Sequence, residues 1–244
     1  MLSRPLHALA LFAALACIPS TAAAQHSKPD VSENAWLDHD VATLKNGDWV
    51  KRTLERDGEA KLEYRLACVG VEADVVWIEE DRTTVEYFPG TVILCSVGLK
   101  DRKVKRAFWG KPGEKGVELN LTRAMLADPG NDAATGTAEV TAGKATIQGK
   151  EHVTETIEIR TELEGFGAPV KTRQVLVLSP EIPFALYADE NGICRASIQE
   201  GKIEWKGKPT WKGGVVTLLF DGRTKSTLKL MEWGTDAKAT LRRG

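Results

Sequence analysis

Outside the N-terminal leader the chain has three histidines, His26, His39 and His152, the side chains best suited to moving protons near neutral pH. His39 lies between Asp38 and Asp40. That trio could gather a weak metal site or form a solvated polar face. No His-x-x-x-His or Cys-x-x-Cys spacing occurs, so a transition metal has no local signature. Cys95-Ser96-Val97-Gly98 lacks the glycine that opens a Gly-x-Ser-x-Gly nucleophile elbow. Gly136 to Lys144 ends in Gly-Lys, but Ala145 stands where a phosphate loop needs Ser or Thr. Carboxylates cluster at Glu79-Glu80-Asp81, at Glu162 and Glu164, and at Asp189-Glu190. A glycosidase needs two opposed carboxylates, and 34 acidic residues offer many pairs without selecting one. These residues therefore nominate no catalytic group, no metal ligand and no cofactor. A hydrolase would need a carboxylate pair, or a serine beside His152, in a cleft.

Aromatic residues are more suggestive. Trp77, in the apolar run Val75-Val76-Trp77-Ile78, reads as core. Trp205 and Trp211 flank Lys206-Gly207-Lys208-Pro209-Thr210, two indoles among lysines and turn residues. An indole face can stack on a sugar or an apolar ligand, so both are candidate ligand-binding residues. The alternative is that they cover the edge of a barrel.

Elements that could position these residues follow from hydrophobic period. Leu62, Tyr64, Leu66 and Cys68 alternate with Glu63 and Arg65. Ile157, Ile159 and Leu163 alternate with Glu158, Arg160, Glu162 and Glu164. Strict alternation describes strands with one wet face. Turn signals recur at Asp57-Gly58, Pro89-Gly90, Pro112-Gly113, Asn191-Gly192 and Asp221-Gly222. About a dozen short strands joined by hairpins imply a mainly β fold, an antiparallel curved sheet or incomplete β-barrel. One or two short helices accompany it. One runs from a Ser32 cap to about Lys45, closed by Asn46-Gly47; a second turn or two spans Thr122 to Ala127.

The first residues form an export signal. Arg4 precedes the apolar run Ala8 to Ile18, Pro19 breaks it, and Ala22 and Ala24 occupy the small positions before a cleavage site near Ala24. This layout predicts a periplasmic or secreted protein beginning near Gln25. The run is too short to span a bilayer, and no later stretch replaces it. Lipid anchoring through Cys17, after Ala14-Leu15-Ala16, is the alternative. Residues 1–24 are then the signal peptide, 25–46 a flexible lead and short helix, and 47–244 a single antiparallel β domain. With 33 basic and 34 acidic residues, the chain lacks the basic excess of a nucleic-acid binder.

Cys68, Cys95 and Cys194 remain after cleavage. An oxidising compartment permits one internal pair and leaves one thiol over. Cys68 and Cys95 lie in strand-like runs one or two hairpins apart, so Cys68–Cys95 is the candidate disulfide, with three buried thiols as the alternative. Closing that loop of about 28 residues would contribute roughly 3–4 kcal/mol.

Gly47-Asp48-Trp49-Val50, Tyr64-Arg65-Leu66-Ala67-Cys68-Val69-Gly70, Val76-Trp77-Ile78-Glu79, the run Gln174 to Phe184 and the closing Leu228 to Gly234 occur in a familiar order. Over roughly Gly47 to Thr240 this order resembles exported bacterial outer-membrane lipoprotein-sorting proteins, the LolA/LolB-like group. The resemblance implies an incomplete antiparallel barrel whose concave side is plugged by short helices and binds acyl chains. The expectation is a non-enzymatic binding protein for an apolar or lipid-like ligand, with a cavity lined by Leu62, Tyr64, Leu66, Ile157 and Ile159. A carbohydrate-binding or surface-structural module, with Trp205 and Trp211 as a coplanar platform over a filled core, is the second expectation.

Overall fold

The computed structural model describes residues 28–81, 90–123, 134–163, 170–189, 192–193, 202–222 and 224–243. The strands are β1 (Val31–Ser32), β2 (Trp49–Arg56), β3 (Leu62–Val71), β4 (Val75–Asp81), β5 (Val92–Gly98), β6 (Val104–Gly110), β7 (Val117–Glu118) and β8 (Leu121–Thr122). The second half adds β9 (Ala134–Ile147), β10 (Lys150–Leu163), β11 (Val170–Ser179), β12 (Ala188–Asp189), β13 (Gly192–Ile193), β14 (Lys202–Lys206), β15 (Gly214–Asp221) and β16 (Lys225–Gly234). The protein is mainly β, as its alternating runs predict, and its large curved sheet does not close into a barrel.

Twelve strands form that sheet in the order β14-β9-β10-β11-β15-β16-β2-β3-β4-β5-β6-β7. The first half runs outward from β2 as a meander. The second half starts at the far side and returns until β16 pairs antiparallel with β2. Pairing is antiparallel except for β14 on β9, which is parallel, as is β1 on β8 in a separate two-stranded patch. Of the turn dipeptides, Gly58, Gly90 and Gly113 adopt positive φ, Gly222 does not, and Asn191 lies outside the described residues. In the β9–β10 hairpin both turn residues adopt positive φ, Gln148 (φ 50) and Gly149 (φ 75), the conformation that matches the right-handed strand twist.

Register places one apolar row across six strands on the concave face: Ile157, Leu176, Leu218, Leu228, Leu54 and Leu62. All but Leu62 are buried, and each such side chain contributes about 1.5–3 kcal/mol of burial. The charges of β10 and β11 point the other way. Glu158 is ion-paired with Arg160 and Arg173, and Glu162 with Lys171.

The two ends of the chain cover opposite faces of the sheet. Val31, Trp36, Val41 and Leu44 join the main core on the concave side, together with Ile182, Phe184 and Leu186 from the connection after β11. Hydrogen bonds from Val104 N to Glu33 O, Asp40 N to Ala185 O and Tyr187 N to Asp38 O tie the N-terminal segment to both halves. On the convex side, Leu241 packs with Trp77, Val92, Leu94 and Phe108 in a second cluster. Covered on both faces, β5 is buried at every position, which explains its unbroken apolar sequence.

The N-terminal helix expected from the sequence does not form. Ser32 does not cap a helix to Lys45: the segment is a short strand, a series of turns and a single 3-10 turn at Val41–Thr43. Its buried residues fall at 31, 36, 41 and 44, a spacing that does not line one face of an α-helix. Thr122 belongs to β8, and Ala124 to Ala127 lie outside the described residues.

The Cys68–Cys95 disulfide is also corrected: the two residues are thiols and not a bridge. Cys68 faces Ile78 across β3–β4, and Ile78 faces Cys95 across β4–β5. One whole strand separates them. At about 4.8 Å per strand their Cα atoms stand roughly twice that apart, beyond the reach of a disulfide. Cys194, Cys17 and the leader lie outside the described residues.

Candidate functional site

Trp205 sits on edge strand β14, opposite Ala138 of β9, which in turn faces Ile159 of β10. This places it on the concave side, at the rim. It is one of the few large apolar residues left exposed. Trp211 is half-buried against the main core. The structure does bring the two indoles together, with ring centroids 5.9 Å apart, but at 86° to one another. They meet edge to face and do not form a coplanar platform.

The turn that carries Trp211 is built by Glu155. Its carboxylate accepts the Thr210 N–H at 3.0 Å from both oxygens, the Trp211 N–H at 3.2 Å and the Thr210 hydroxyl at 3.2 Å. This holds Trp211 at φ 55, a conformation costly for a bulky side chain. The next turn is closed by Gly213, at φ +88, where a Cβ would come within 1.8 Å of the Ser179 carbonyl oxygen. Phe184, also at positive φ, is buried in the same region.

A shallow pocket of about 390 Å³ lies over β14, β9 and β10. Its charged lining is Glu204 together with the outward ladder Lys206, Glu139, Glu158 and Arg160, completed by residues including Ala138 and Trp205. The ladder is internally paired. Arg173 and then Arg160 hold the Glu158 carboxyl at about 2, and Glu139 raises the Lys206 pKa. Glu72, Asp101 and Glu118 are likewise displaced downward by cationic hydrogen-bond partners. A general acid needs the opposite displacement.

Glu79 shows how far local sequence can mislead. It reads only as one of a cluster of three carboxylates, yet it is 2% exposed. Its carboxylate accepts Thr240 N–H (2.8 Å), Leu241 N–H (2.9 Å) and the Thr240 hydroxyl (3.0 Å). It is the clasp of the C-terminal segment. His152 is also buried, with Nδ1 2.9 Å from a Glu181 oxygen and its ring edge-on to Trp233. Ser179, two residues before Glu181, is fully buried and its hydroxyl has no protein partner. Among the described residues no three His, Cys, Asp or Glu side chains gather as metal ligands. The His39 ring turns inward and packs edge-on against Trp36 at 5.1 Å.

The residues expected to line a cavity form packed core instead: Tyr64, Leu66, Ile157 and Ile159 are buried in the main cluster on the concave face, Leu62 packs against it, and the pocket over β14, β9 and β10 touches none of them. The concave face also holds Arg52, which no sequence motif marks. The signal was present: in Trp49–Arg56, Arg52 shares its face with Val50 and Leu54, a charge on the apolar side of a strand.

Comparison of the chain with protein-family models, with curated proteins and with solved structures gives no match.

Proposed function

We infer that the protein is an exported, non-enzymatic binding protein for an apolar, lipid-like ligand seated on the concave face of its open sheet. One observation carries the reading. A continuous apolar row crosses six strands from Ile157 to Leu62 on a sheet that does not close. Its cover is made of segments of the same chain, Val31 to Leu44 and Ile182 to Leu186, which are mostly turns and share only the two-residue β1–β8 pairing and isolated bridges. A face covered by such segments can exchange that cover for a ligand of the same chemistry without breaking a ladder of the twelve-stranded sheet. Export is supported by the three-part layout of Met1 to Ala24. No described helix is long and apolar enough to cross a membrane.

The test is calorimetric titration of delipidated protein with dodecanol and with dodecanoate. Saturable binding of either near one to one, with a negative heat-capacity change from apolar burial, supports the reading. Absence of binding by both, with the protein folded, overturns it.

A further inference from the structure

Arg52 lies in the middle of β2, flanked across the sheet by Leu230 and Tyr64, and is 2% exposed. Its Nε and Nη2 atoms have no protein hydrogen-bond partner. Among the described residues no carboxylate is ion-paired with it. Three further polar groups share its surroundings, one of them the Glu80 carboxylate, which lies opposite Leu66 and whose charge reaches Tyr64. Tyr64 is buried beside it, and its hydroxyl interacts with the guanidinium. His39, in the covering segment, has a buried Nδ1 without a protein partner and lies within the field of Arg52.

A buried guanidinium with no carboxylate hydrogen-bonded to it is costly, and the cost is recovered only when an anion meets it with good geometry. The orphaned pair is informative. Nε and Nη2 form one edge of the guanidinium plane, the edge that takes a carboxylate through two parallel hydrogen bonds. The same face carries the leucine row, beginning one side-chain position away at Leu54.

We propose that Arg52 receives the carboxylate of a single-chain amphiphile such as a fatty acid, with the alkyl chain along the leucine row and Tyr64 and His39 beside the head group. The proposal rests on the carrier reading above and names its ligand class. The covering segment Val31 to Leu44 must move aside for the chain to enter, since Trp36 and Val41 occupy the same core.

The experiment compares dodecanoate, dodecanol and acetate at pH 7.5, on the wild type and on Arg52→Met and Tyr64→Phe. A charge-assisted bidentate contact predicts that dodecanoate binds the wild type roughly 10–100-fold more tightly than dodecanol. Arg52→Met should abolish that preference and leave dodecanol binding intact. An apolar replacement of an unpaired buried cation is expected to keep the fold, and thermal unfolding of each variant confirms it. Tyr64→Phe, a smaller change, should reduce the preference a few-fold and serves if Arg52→Met does not fold. Equal binding of dodecanoate and dodecanol by the wild type, or a preference that survives Arg52→Met, overturns the role of Arg52 while leaving the carrier reading standing. Acetate binding as tightly as dodecanoate overturns the amphiphile assignment. Failure of dodecanoate and dodecanol alike removes the carrier reading itself.

Discussion

Glu79→Ala should release the C-terminal segment from the convex face. The carboxylate accepts hydrogen bonds from Thr240 N, Leu241 N and the Thr240 hydroxyl at 2.8, 2.9 and 3.0 Å. Hydrogen bonds to a charged group contribute about 1.5–3 kcal/mol each, and they do not simply add. The segment can instead detach and hydrate its donors, so the loss is capped by what its docking contributes. That docking includes burial of Leu241, worth about 2–3 kcal/mol. Arg243 adds a contact over the Trp77 ring at 4.1 Å and an ion pair with Glu72. The expected cost of Glu79→Ala is therefore about 3–4 kcal/mol, a fall in Tm of roughly 5–15 °C for a domain of this size. Glu79→Gln retains one acceptor oxygen but turns an NH2 group toward N–H donors, and about 1.5–3 kcal/mol is expected. Thermal and urea unfolding measure the loss, and carboxypeptidase digestion reports release of the C-terminus. Combining Glu79→Ala with Leu241→Ala should be less than additive, because either change frees the same segment. A Glu79→Gln variant within 0.5 kcal/mol of wild type, with its C-terminus still resistant, would refute the clasp.

Gly213→Ala should destabilise by more than about 2 kcal/mol, measured in urea, because the site combines φ +88 with a backbone oxygen 1.8 Å from the new Cβ. His39 is held near a pKa of about 3, first by burial and then by the Arg52 charge, against an ordinary 6.5. The unfolded chain thus binds a proton the folded one refuses. Relative to a His39→Phe variant, stability should be fully present above pH 6.5 and fall by at most about 1.4 kcal/mol per pH unit toward pH 3; parallel pH profiles for the two proteins would contradict this. Burial pushes the Cys68 thiol up to about 11, so iodoacetamide should modify it only on unfolding, and peptide mapping should find no Cys68–Cys95 link. Hydrogen exchange should open the backbone around Trp36 to Leu44 before that around Gly116 and Arg242; the reverse order would argue against a displaceable concave cover.

The sequence made the sheet legible where one strand face is wet. Glu63 and Arg65 against Tyr64 and Leu66, and Glu158 and Arg160 against Ile157 and Ile159, carry their own registers because a one-residue slip would bury charge. Glycine turns were legible for an equally local reason, since positive φ is a property of one residue. What was not legible is set by partners far along the chain. Glu79 is charged within a charged triplet, and only Thr240 and Leu241, about 160 residues later, make it a buried clasp. Ser32 and Asn46-Gly47 bracket a plausible helix, but the segment between them takes its shape from β6, β8 and the 185–187 backbone it bonds to. The cysteine pairing failed on strand count: Cys68 and Cys95 share a face and a row, with Ile78 between them. Arg52 was readable in part, as a basic residue between Val50 and Leu54 on one face of β2, although Arg106 between Val104 and Phe108 shows the same spacing and is exposed.

The two covers of the sheet are built differently, and the difference bears on function. On the convex face the C-terminal segment is tied by the Glu79 clasp and by the Arg243–Glu72 pair. Backbone bonds join Gly113 N to Thr240 O, Gly116 N to Arg242 O and Arg242 N to Glu114 O. Gly110 and Gly116 let Leu241 approach so closely that a Cβ on either would lie about 3 Å from it. Its buried acceptors and donors are matched. The concave cover is a run of turns with short backbone pairings, and Arg52 beneath it and His39 within it keep polar atoms without protein partners. A fold optimised only for stability would replace Arg52 by an apolar side chain, since such replacements of buried charge are often neutral or stabilising. Retaining a desolvated cation under the looser of two covers costs stability in the closed form and lowers the cost of opening it. That combination is what a protein needs if its concave face is to be occupied by turns of its own chain in one state and by a negatively headed apolar ligand in another.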